Sequence, residues 1–206
     1  MIATTDERTG PASIYWTIAW ITTALFVAIT LTAHGPSTYR FAILFLAPLL
    51  WGMFRGREKL ALHPAHFGIL AVALLFHNLG AYGLYRTSWE GIEFDGYVHY
   101  FFGLAGGLAI ARALAFNFEL AGWKLWIGAL LVILGIGAIH ELIEFSSTII
   151  LGPEKGMLKL NDGDFFDTQK DLLNNMLGTI TALGLYGATR SPANFRAPKL
   201  ALPSPP

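Results

Sequence analysis

Residues 123–145, WKLWIGALLVILGIGAIHELIEF, end a long apolar run with a group of polar residues. The run has the character of a helix that crosses a lipid bilayer, which needs about 20 predominantly apolar residues. Its last residues bring an imidazole, His140, and two carboxylates, Glu141 and Glu144, to the hydrocarbon boundary. An ionised group costs about 2.5–3.5 kcal/mol at the centre of a membrane helix and less near its ends. We therefore expect partners from other segments.

The composition of the whole chain is that of a membrane protein. Of its 206 residues, 54% are hydrophobic and only 14% are charged, whereas about 25% of the residues of a soluble domain are charged. The mean hydropathy is +0.50. The formal net charge is zero, so nothing indicates a nucleic-acid partner. The chain has no cysteine, which excludes disulfides, thiolate metal sites and thiol catalysis.

Six apolar runs predict an all-α fold, a polytopic membrane helix bundle with six transmembrane helices. The predicted spans are residues 13–33, 39–54, 67–85, 97–116, 123–145 and 168–188. Pro48 lies inside the short second span, where we expect it to kink the helix. Residues 1–12 and 190–206 are expected to be disordered tails. The basic region of a secretory signal is missing before the first span, so we expect that span to be retained.

The distribution of Lys and Arg predicts the orientation. With six spans, nine of the 14 lie on the side of the two termini and five on the other side. The positive-inside rule then places both termini in the cytoplasm. The expected location is the cell inner (plasma) membrane, which the chain crosses several times.

Polar residues lie at the start of the fourth predicted span, at the end of the fifth and at the start of the sixth. In a six-span topology with cytoplasmic termini, these three positions are all on the outer side, so the three groups are predicted to lie together at the outer membrane surface. Asp95 and His99 share a helix face with Gly103 and Gly107, because residues four apart lie on the same side of a helix. The two glycines form a GxxxG motif, which allows a neighbouring helix to approach closely. We therefore expect this face to point into the bundle.

The sixth span carries a matching polar face. Its residues follow the spacing i, i+4, i+7, i+8, i+11: Asp167, Asp171, Asn174, Asn175 and Gly178. Thr168 and Asp171 have the spacing of a capping box, which predicts that the helix starts at Thr168.

The chemistry of this set points to a cation. Several carboxylates and imidazoles that meet in one place cannot all stay ionised without a positive ion. The predicted metal ligands are Asp95, His99, His140, Glu141, Glu144, Asp167 and Asp171; the predicted supporting residues are His77, Asn174 and Asn175. The candidate catalytic residues are His99, His140 and Glu141, with either histidine acting as general base or as ligand. Carboxylates with imidazoles suit Zn, Fe or Mn, so we expect a divalent metal ion of open identity.

Other interpretations compete with a metal site. The order of residues 140–144, His-Glu-x-x-Glu, differs from the His-Glu-x-x-His of zinc proteases, so no protease is predicted. A lone histidine on an apolar helix, such as His77, is more often a hydrogen-bonded packing residue than a ligand. The whole set could be a structural polar network in a non-catalytic scaffold, although interhelical polar contacts average only about 0.6 kcal/mol. A third interpretation is a proton- or cation-coupled transporter.

The polar pattern resembles that of a known family. Asp-x-x-x-His opens one span, Glu-x-x-Glu closes the next, and Asp-x-x-x-Asp-x-x-x-Asn-x-x-Gly opens the last. The chain resembles the YjdF-type bacterial inner-membrane family over most of its length and, more distantly, VanZ-like proteins over residues 95–178. It departs from the VanZ-like pattern at Glu144, where that pattern has Gln, and at residues 165–166, where it has Arg.

The resemblance implies partners rather than a reaction. VanZ-like proteins are linked to glycopeptide resistance and to envelope lipids. By this resemblance, the expected partners are membrane lipids and a lipid-linked or cell-envelope substrate.

Overall fold

The computed structural model describes residues 11–32, 42–152 and 166–189. These ranges hold six helices: α1 (Ala12–Thr32), α2 (Ala42–Gly56), α3 (Pro64–Ala81), α4 (Phe94–Asn117), α5 (Gly122–Leu151) and α6 (Asp167–Thr189). A two-stranded antiparallel hairpin, β1 (Ser88–Trp89) and β2 (Ile92–Glu93), precedes α4. The tails expected at residues 1–12 and 190–206 lie almost wholly outside the described residues.

Helices α1, α3, α4 and α5 are each long and apolar enough to cross a membrane. Helix α2 is shorter, with 15 residues, or about 22 Å at 1.5 Å per residue. Helix α6 begins with the charged residues Asp167, Lys170 and Asp171 and becomes apolar only after them. The prediction of an all-α polytopic membrane bundle is confirmed.

An apolar core holds the first three helices together. Tyr15, Phe26, Leu50 and Phe67 are fully buried in it. Between membrane helices, such contacts act through van der Waals packing, because lipid tails are as apolar as the side chains themselves. Helix α3 also contributes His77 to the surroundings of the site described below.

Helices α4 and α6 lie unusually close together, because glycines replace side chains where they touch. A Cβ atom added at Gly103 would lie 2.2 Å from the carbonyl oxygen of Asn175. One added at Gly178 would lie 2.1 Å from the carbonyl oxygen of Tyr100. The close approach predicted from the GxxxG motif is confirmed, and it brings the polar starts of the two helices side by side.

The connection between α2 and α3, residues 57–63, is held against the bundle at the opposite end from those polar starts. We call this connection the clamp. The Arg112 Nε donates to the Ala61 carbonyl at 2.6 Å, and the Asn117 Nδ2 donates to the Lys59 carbonyl at 2.7 Å. The hydroxyl of Tyr15 donates to the carbonyl of Leu62. Side chains from α1 and α4 thus satisfy backbone groups of the clamp.

Helix α3 is displaced relative to its predicted span. It starts at Pro64, because proline suits the first helical position and the side chain of His63 accepts a hydrogen bond from the Ala65 amide at 3.3 Å. It ends at Ala81, four residues before the predicted end at Tyr85. Gly83 follows with a φ of +129°, a left-handed value that favours glycine.

Helix α5 is longer than its predicted span and runs to Leu151, six residues past Phe145. Its last turns contain Ser146, Ser147 and Thr148, whose hydroxyls donate back to carbonyls three or four residues earlier. This local bonding lets polar residues stay helical. The pentapeptide at residues 140–144 therefore lies within the helix rather than at its end.

The bounds of the other four helices differ less from the predicted spans. Helices α1, α4 and α6 begin one to three residues before their predicted spans, and α2 begins at Ala42 and ends at Gly56. Pro48 lies inside α2, and the helix continues through it.

Candidate metal centre

Three helices bring six of the predicted residues together. Asp95 and His99 come from the start of α4; His140, Glu141 and Glu144 come from α5; Asp171 comes from the start of α6. We call these six residues the acid–histidine cluster. The antiparallel order of the helices places all of them at one end of the bundle, as the pattern predicted.

The sequence of α5 explains why Glu141 points inward. Leu125, Ala129, Ile133 and Gly137 are buried and step by four along the helix, and Glu141 continues the same stripe. Residues four apart share a helix face. The last position of an apolar stripe thus places a carboxylate among the other helices.

His99 lies at the centre of the cluster. Its Nε2 is 3.7 Å from Asp95 Oδ1, 3.6 Å from Asp171 Oδ2 and 4.0 Å from Glu141 Oε1. All three distances exceed the 2.7–3.2 Å of an ordinary hydrogen bond to nitrogen. One imidazole nitrogen is therefore surrounded by carboxylates from three helices without bonding directly to any of them.

His140 forms the more accessible part of the cluster. Its Nδ1 is 3.6 Å from Glu144 Oε1 and 4.0 Å from Glu141 Oε1. The side chain of His140 is 33% exposed, whereas that of Glu144 is 13% exposed. A molecule that reaches the cluster would meet His140 before His99, which is buried.

Glu141 links the two histidines. Its residue exposure is only 5%, and its Oε2 accepts a hydrogen bond from the Thr168 hydroxyl at 3.0 Å. Its other oxygen, Oε1, is buried and makes no hydrogen bond to any residue that the structure describes. A buried polar atom left unbonded costs about 1–3 kcal/mol. This oxygen lies 4.0 Å from a nitrogen of each histidine.

These spacings fit a metal ion. Two groups each bring one possible ligand atom per residue together: His99, His140 and Glu141 form one, and Asp95, His99 and Asp171 form the other. The nitrogen–oxygen pairs measured in these groups are 3.6–4.0 Å apart. Ligand atoms that each lie about 2.0–2.2 Å from a shared ion can be separated by up to about 4.4 Å. The donors, imidazole nitrogen and carboxylate oxygen, are those that Zn, Fe and Mn accept.

A family model described as "Predicted membrane protein (DUF2238)" matches residues 14–191, which include the whole cluster. The chain belongs to the DUF2238 family. The predicted membership of a YjdF-type family is thereby confirmed, while the more distant VanZ-like relation stays a prediction. No curated protein and no solved structure matches the chain.

In this DUF2238 protein, His77 packs against the cluster from α3. Its ring centroid lies 5.5 Å from that of His140, in an edge-on arrangement. Its Nδ1 is 2.5 Å from the hydroxyl of Tyr85. That tyrosine ring lies over Gly80, where a Cβ atom would be 2.3 Å away. His77 is thus hydrogen bonded and packs against His140, and its supporting role stays a prediction.

The remaining predicted residues of the DUF2238 chain surround the cluster. Asn175 is fully buried and lies beside His99 and against Gly137. Asn174 lies against Gly96 in the first turn of α4. Asp167 is buried at the start of α6, in the electrostatic field of Glu144.

Two residues of the site were not predicted as members of it. Thr168 was interpreted as a helix cap, but α6 starts at Asp167, so Thr168 lies in the first turn and its hydroxyl bonds to Glu141 instead. Tyr85 was placed at the end of a span rather than as the partner of His77. The position of Thr168 between Asp167 and Asp171 was the available signal for the first. For the second, the sequence placed Tyr85 at the outer end of the span that carries His77 but did not predict the contact between them.

Proposed function

We propose that this integral membrane protein binds a divalent cation in the acid–histidine cluster and uses it to bind or act on an envelope or lipid-linked molecule. The observation that carries the proposal is the buried Oε1 of Glu141, which lies 4.0 Å from a nitrogen of His99 and of His140 without a hydrogen-bond partner among the described residues.

The charge of the cluster supports a bound cation. Its four carboxylates come together on membrane-spanning helices, where an ionised group is costly. Like charges this close raise that cost further. A divalent cation offsets both.

The geometry favours different roles for the two histidines. His99 Nε2 is buried within 4.0 Å of three carboxylates, which suits a metal ligand. His140 is one-third exposed, so it can be reached by an incoming molecule as well as by the ion. A cation held here would polarise a phosphoryl or acyl oxygen or lower the pKa of a bound water molecule.

The surroundings favour a lipid-linked substrate. The residues that flank His140 along α5, Ile139, Leu142 and Ile143, are apolar and more than half exposed. They belong to an open apolar surface formed by α5 alone, which a lipid chain beside this membrane-spanning helix would contact. The accessible side of the cluster therefore adjoins a surface that suits acyl or isoprenoid chains.

A location in the inner membrane with the cluster facing outward follows from the Lys and Arg pattern. Nine of the 14 basic residues lie on the side of the termini, which the positive-inside rule places in the cytoplasm. The cluster is at the other end of the bundle, beside an extracytoplasmic leaflet.

The helices do not extend the cluster across the membrane. Below Asn175, the described residues on the buried face of α6 are Gly178, Thr179, Ala182 and Leu183. Thr179 donates to the Asn175 carbonyl at 2.7 Å, so its hydroxyl is already bonded. An enclosed binding site therefore fits this half of the bundle better than a transport pathway.

Metal analysis of the purified protein tests the proposal. We expect a stoichiometric divalent metal in the wild type and at least a tenfold loss in Glu141→Gln. Glu90→Gln is the matched control, because Glu90 is an exposed carboxylate in the hairpin before α4; it should retain the metal. Equal, near-zero metal in the wild type and Glu141→Gln, after purification with Mn²⁺ or Zn²⁺ supplied, would contradict the proposal and favour a structural network.

A further inference from the structure

The turn that follows α3 folds back and brings Tyr85 onto a side chain of the helix itself. Helix α3 ends at Ala81, and a single 3-10 turn, Leu84–Arg86, comes directly after Gly83. The chain can reverse at Gly83 because its φ of +129° is a left-handed value that favours glycine. The hydroxyl of Tyr85 then lies 2.5 Å from His77 Nδ1. A residue outside the helix is therefore hydrogen bonded to a histidine inside it.

Two further contacts hold the ring of Tyr85 in this position. Gly80 leaves the space that the ring occupies, since a Cβ atom at Gly80 would lie 2.3 Å from the Tyr85 Cζ. The ring also packs against Phe94, the first residue of α4, with centroids 6.1 Å apart. Tyr85 thus contacts both α3 and α4, and its hydrogen bond restricts the rotation of the His77 ring.

The His77 ring in turn packs against the ring of His140. The two centroids are 5.5 Å apart and the rings are inclined at 78°, an edge-on contact of the kind that aromatic rings prefer. His99 packs against His140 in the same way, at 5.8 Å and 77°. The partly exposed His140 therefore has one imidazole against it from α3 and another from α4. These contacts limit the directions in which its Nδ1, 4.0 Å from Glu141 Oε1, can point.

We propose that Tyr85 is a positioning residue of the metal centre: it fixes the ring of His77, and His77 holds His140 in the orientation that binds the ion. The proposal rests on the metal-binding function argued above, with His99, His140 and Glu141 grouped around one position. A ligand that is already oriented loses less conformational freedom when it binds. Partners that orient metal-binding histidines typically raise metal affinity about 10–100-fold. Since Tyr85 acts through a second residue, we expect an effect at the lower end, about tenfold.

Tyr85→Phe tests the proposal, because it keeps the ring over Gly80 and removes only the hydroxyl that bonds to His77. Isothermal titration of chelator-treated protein in detergent with Mn²⁺ should show binding that is about tenfold weaker than in the wild type. Tyr82→Phe is the matched control, because the Tyr82 hydroxyl bonds to Thr30 Oγ1 at 3.0 Å; it should keep the wild-type affinity. Wild-type affinity in Tyr85→Phe would overturn the role of Tyr85 and leave the metal site standing. A wild type that binds no metal would overturn both.

A second variant breaks the same contact without removing the hydroxyl. Gly80→Ala places a methyl group where the Tyr85 ring lies, so the ring must move and its bond to His77 is lost. It should weaken Mn²⁺ binding as Tyr85→Phe does. A loss in Tyr85→Phe with wild-type affinity in Gly80→Ala would contradict the seating of the ring over Gly80, and wild-type affinity in both would overturn the proposal.

A double-mutant cycle separates positioning from a merely structural role. His77→Phe keeps a ring against His140 but removes the nitrogen that bonds to Tyr85. If Tyr85 acts through His77, Tyr85→Phe should cause no further loss of Mn²⁺ affinity in the His77→Phe background, because residues in one network are not additive. Losses that add would overturn the path through His77. A structural role alone predicts a lower unfolding temperature of the metal-free protein with unchanged Mn²⁺ affinity, and that result would also overturn the proposal.

Discussion

The two ends of the bundle both contain charged groups, but they use them differently. At the clamp, Arg112, Asn117 and Tyr15 each donate to a backbone carbonyl of residues 59–62. At the acid–histidine cluster, side chains from three helices stop 3.6–4.0 Å apart, beyond hydrogen-bond distance. Polar groups that only hold helices together find partners within the chain. In the cluster, by contrast, Glu141 Oε1 is buried without a hydrogen-bond partner among the described residues, and the proposed cation would explain this difference.

The position of the cluster depends on the contact between α4 and α6, so disrupting that contact should have the largest effect on the stability of the protein. Gly178→Ala places a methyl group on the Tyr100 carbonyl and the Leu104 amide nitrogen, backbone atoms that cannot move aside. Overpacking costs about 1–3 kcal/mol, occasionally more, and we expect the upper end. Thermal unfolding in detergent measures it.

Gly184→Ala on the same helix is the matched control, because no atom lies within 4 Å of its added Cβ. It should be neutral or slightly stabilising. If both variants unfolded at the wild-type temperature, that result would contradict the close packing of α4 against α6 that positions the cluster.

The second prediction compares how much a divalent metal stabilises a variant of the cluster and a variant of the clamp. A ligand at 100 times its dissociation constant stabilises the folded state by about 2.7 kcal/mol. Divalent metal should raise the unfolding temperature of the wild type and of the clamp variant Arg112→Met alike. It should not stabilise Glu141→Gln. A metal-induced shift of wild-type size in Glu141→Gln would place the bound ion elsewhere.

The third prediction concerns stability without metal. Arg112→Met removes a charged donor from the Ala61 carbonyl, and hydrogen bonds to charged groups contribute about 1.5–3 kcal/mol. Glu141→Gln should lose less, or gain, because it removes a buried charge. Chelated samples of both variants, unfolded side by side, test this order; a reversed order would mean that the cluster, like the clamp, is structural.

The smallest expected effect lies around the metal ligands. Thr168→Val removes the hydroxyl that bonds to Glu141 Oε2. Losing such an orienting partner typically lowers metal affinity about 10–100-fold. Isothermal titration with Mn²⁺ should show a weaker site with little change in apo stability. Thr189→Val is the control, since the Thr189 hydroxyl bonds to the Leu185 carbonyl on its own helix; unchanged affinity in both would contradict the role of Thr168.

The sequence predicted the six helices and the meeting of their polar ends because both follow from simple periodicity. Apolar length marks a membrane helix, and the alternating direction of successive spans places the start of one beside the end of the previous one. His99, Glu141 and Asp171 could therefore be assigned to one end of the bundle from position alone. Their mutual distances could not.

The features that the sequence did not predict depend mainly on contacts between residues that are distant in the chain or on local bonding that leaves little sequence signal. Tyr85 reaches His77 only because the chain turns back after Ala81 and the ring fits over Gly80. Helix α5 continues past its polar residues because hydroxyl groups bond locally to its own carbonyls. The hairpin at Ser88–Glu93 turns through Glu90 and Gly91, both with positive φ, and a two-residue turn of this kind gives only a weak signal beside a membrane span.

Anomalous diffraction from crystals grown with Mn²⁺ or Zn²⁺ tests the central claim most directly. We predict density about 2.0–2.2 Å from His99 Nε2 and from Glu141 Oε1, with the carboxylates of Asp95 and Asp171 turned toward it. A metal-loaded crystal with no anomalous density between α4, α5 and α6, and with Glu141 Oε1 hydrogen bonded to a protein group instead, would contradict it.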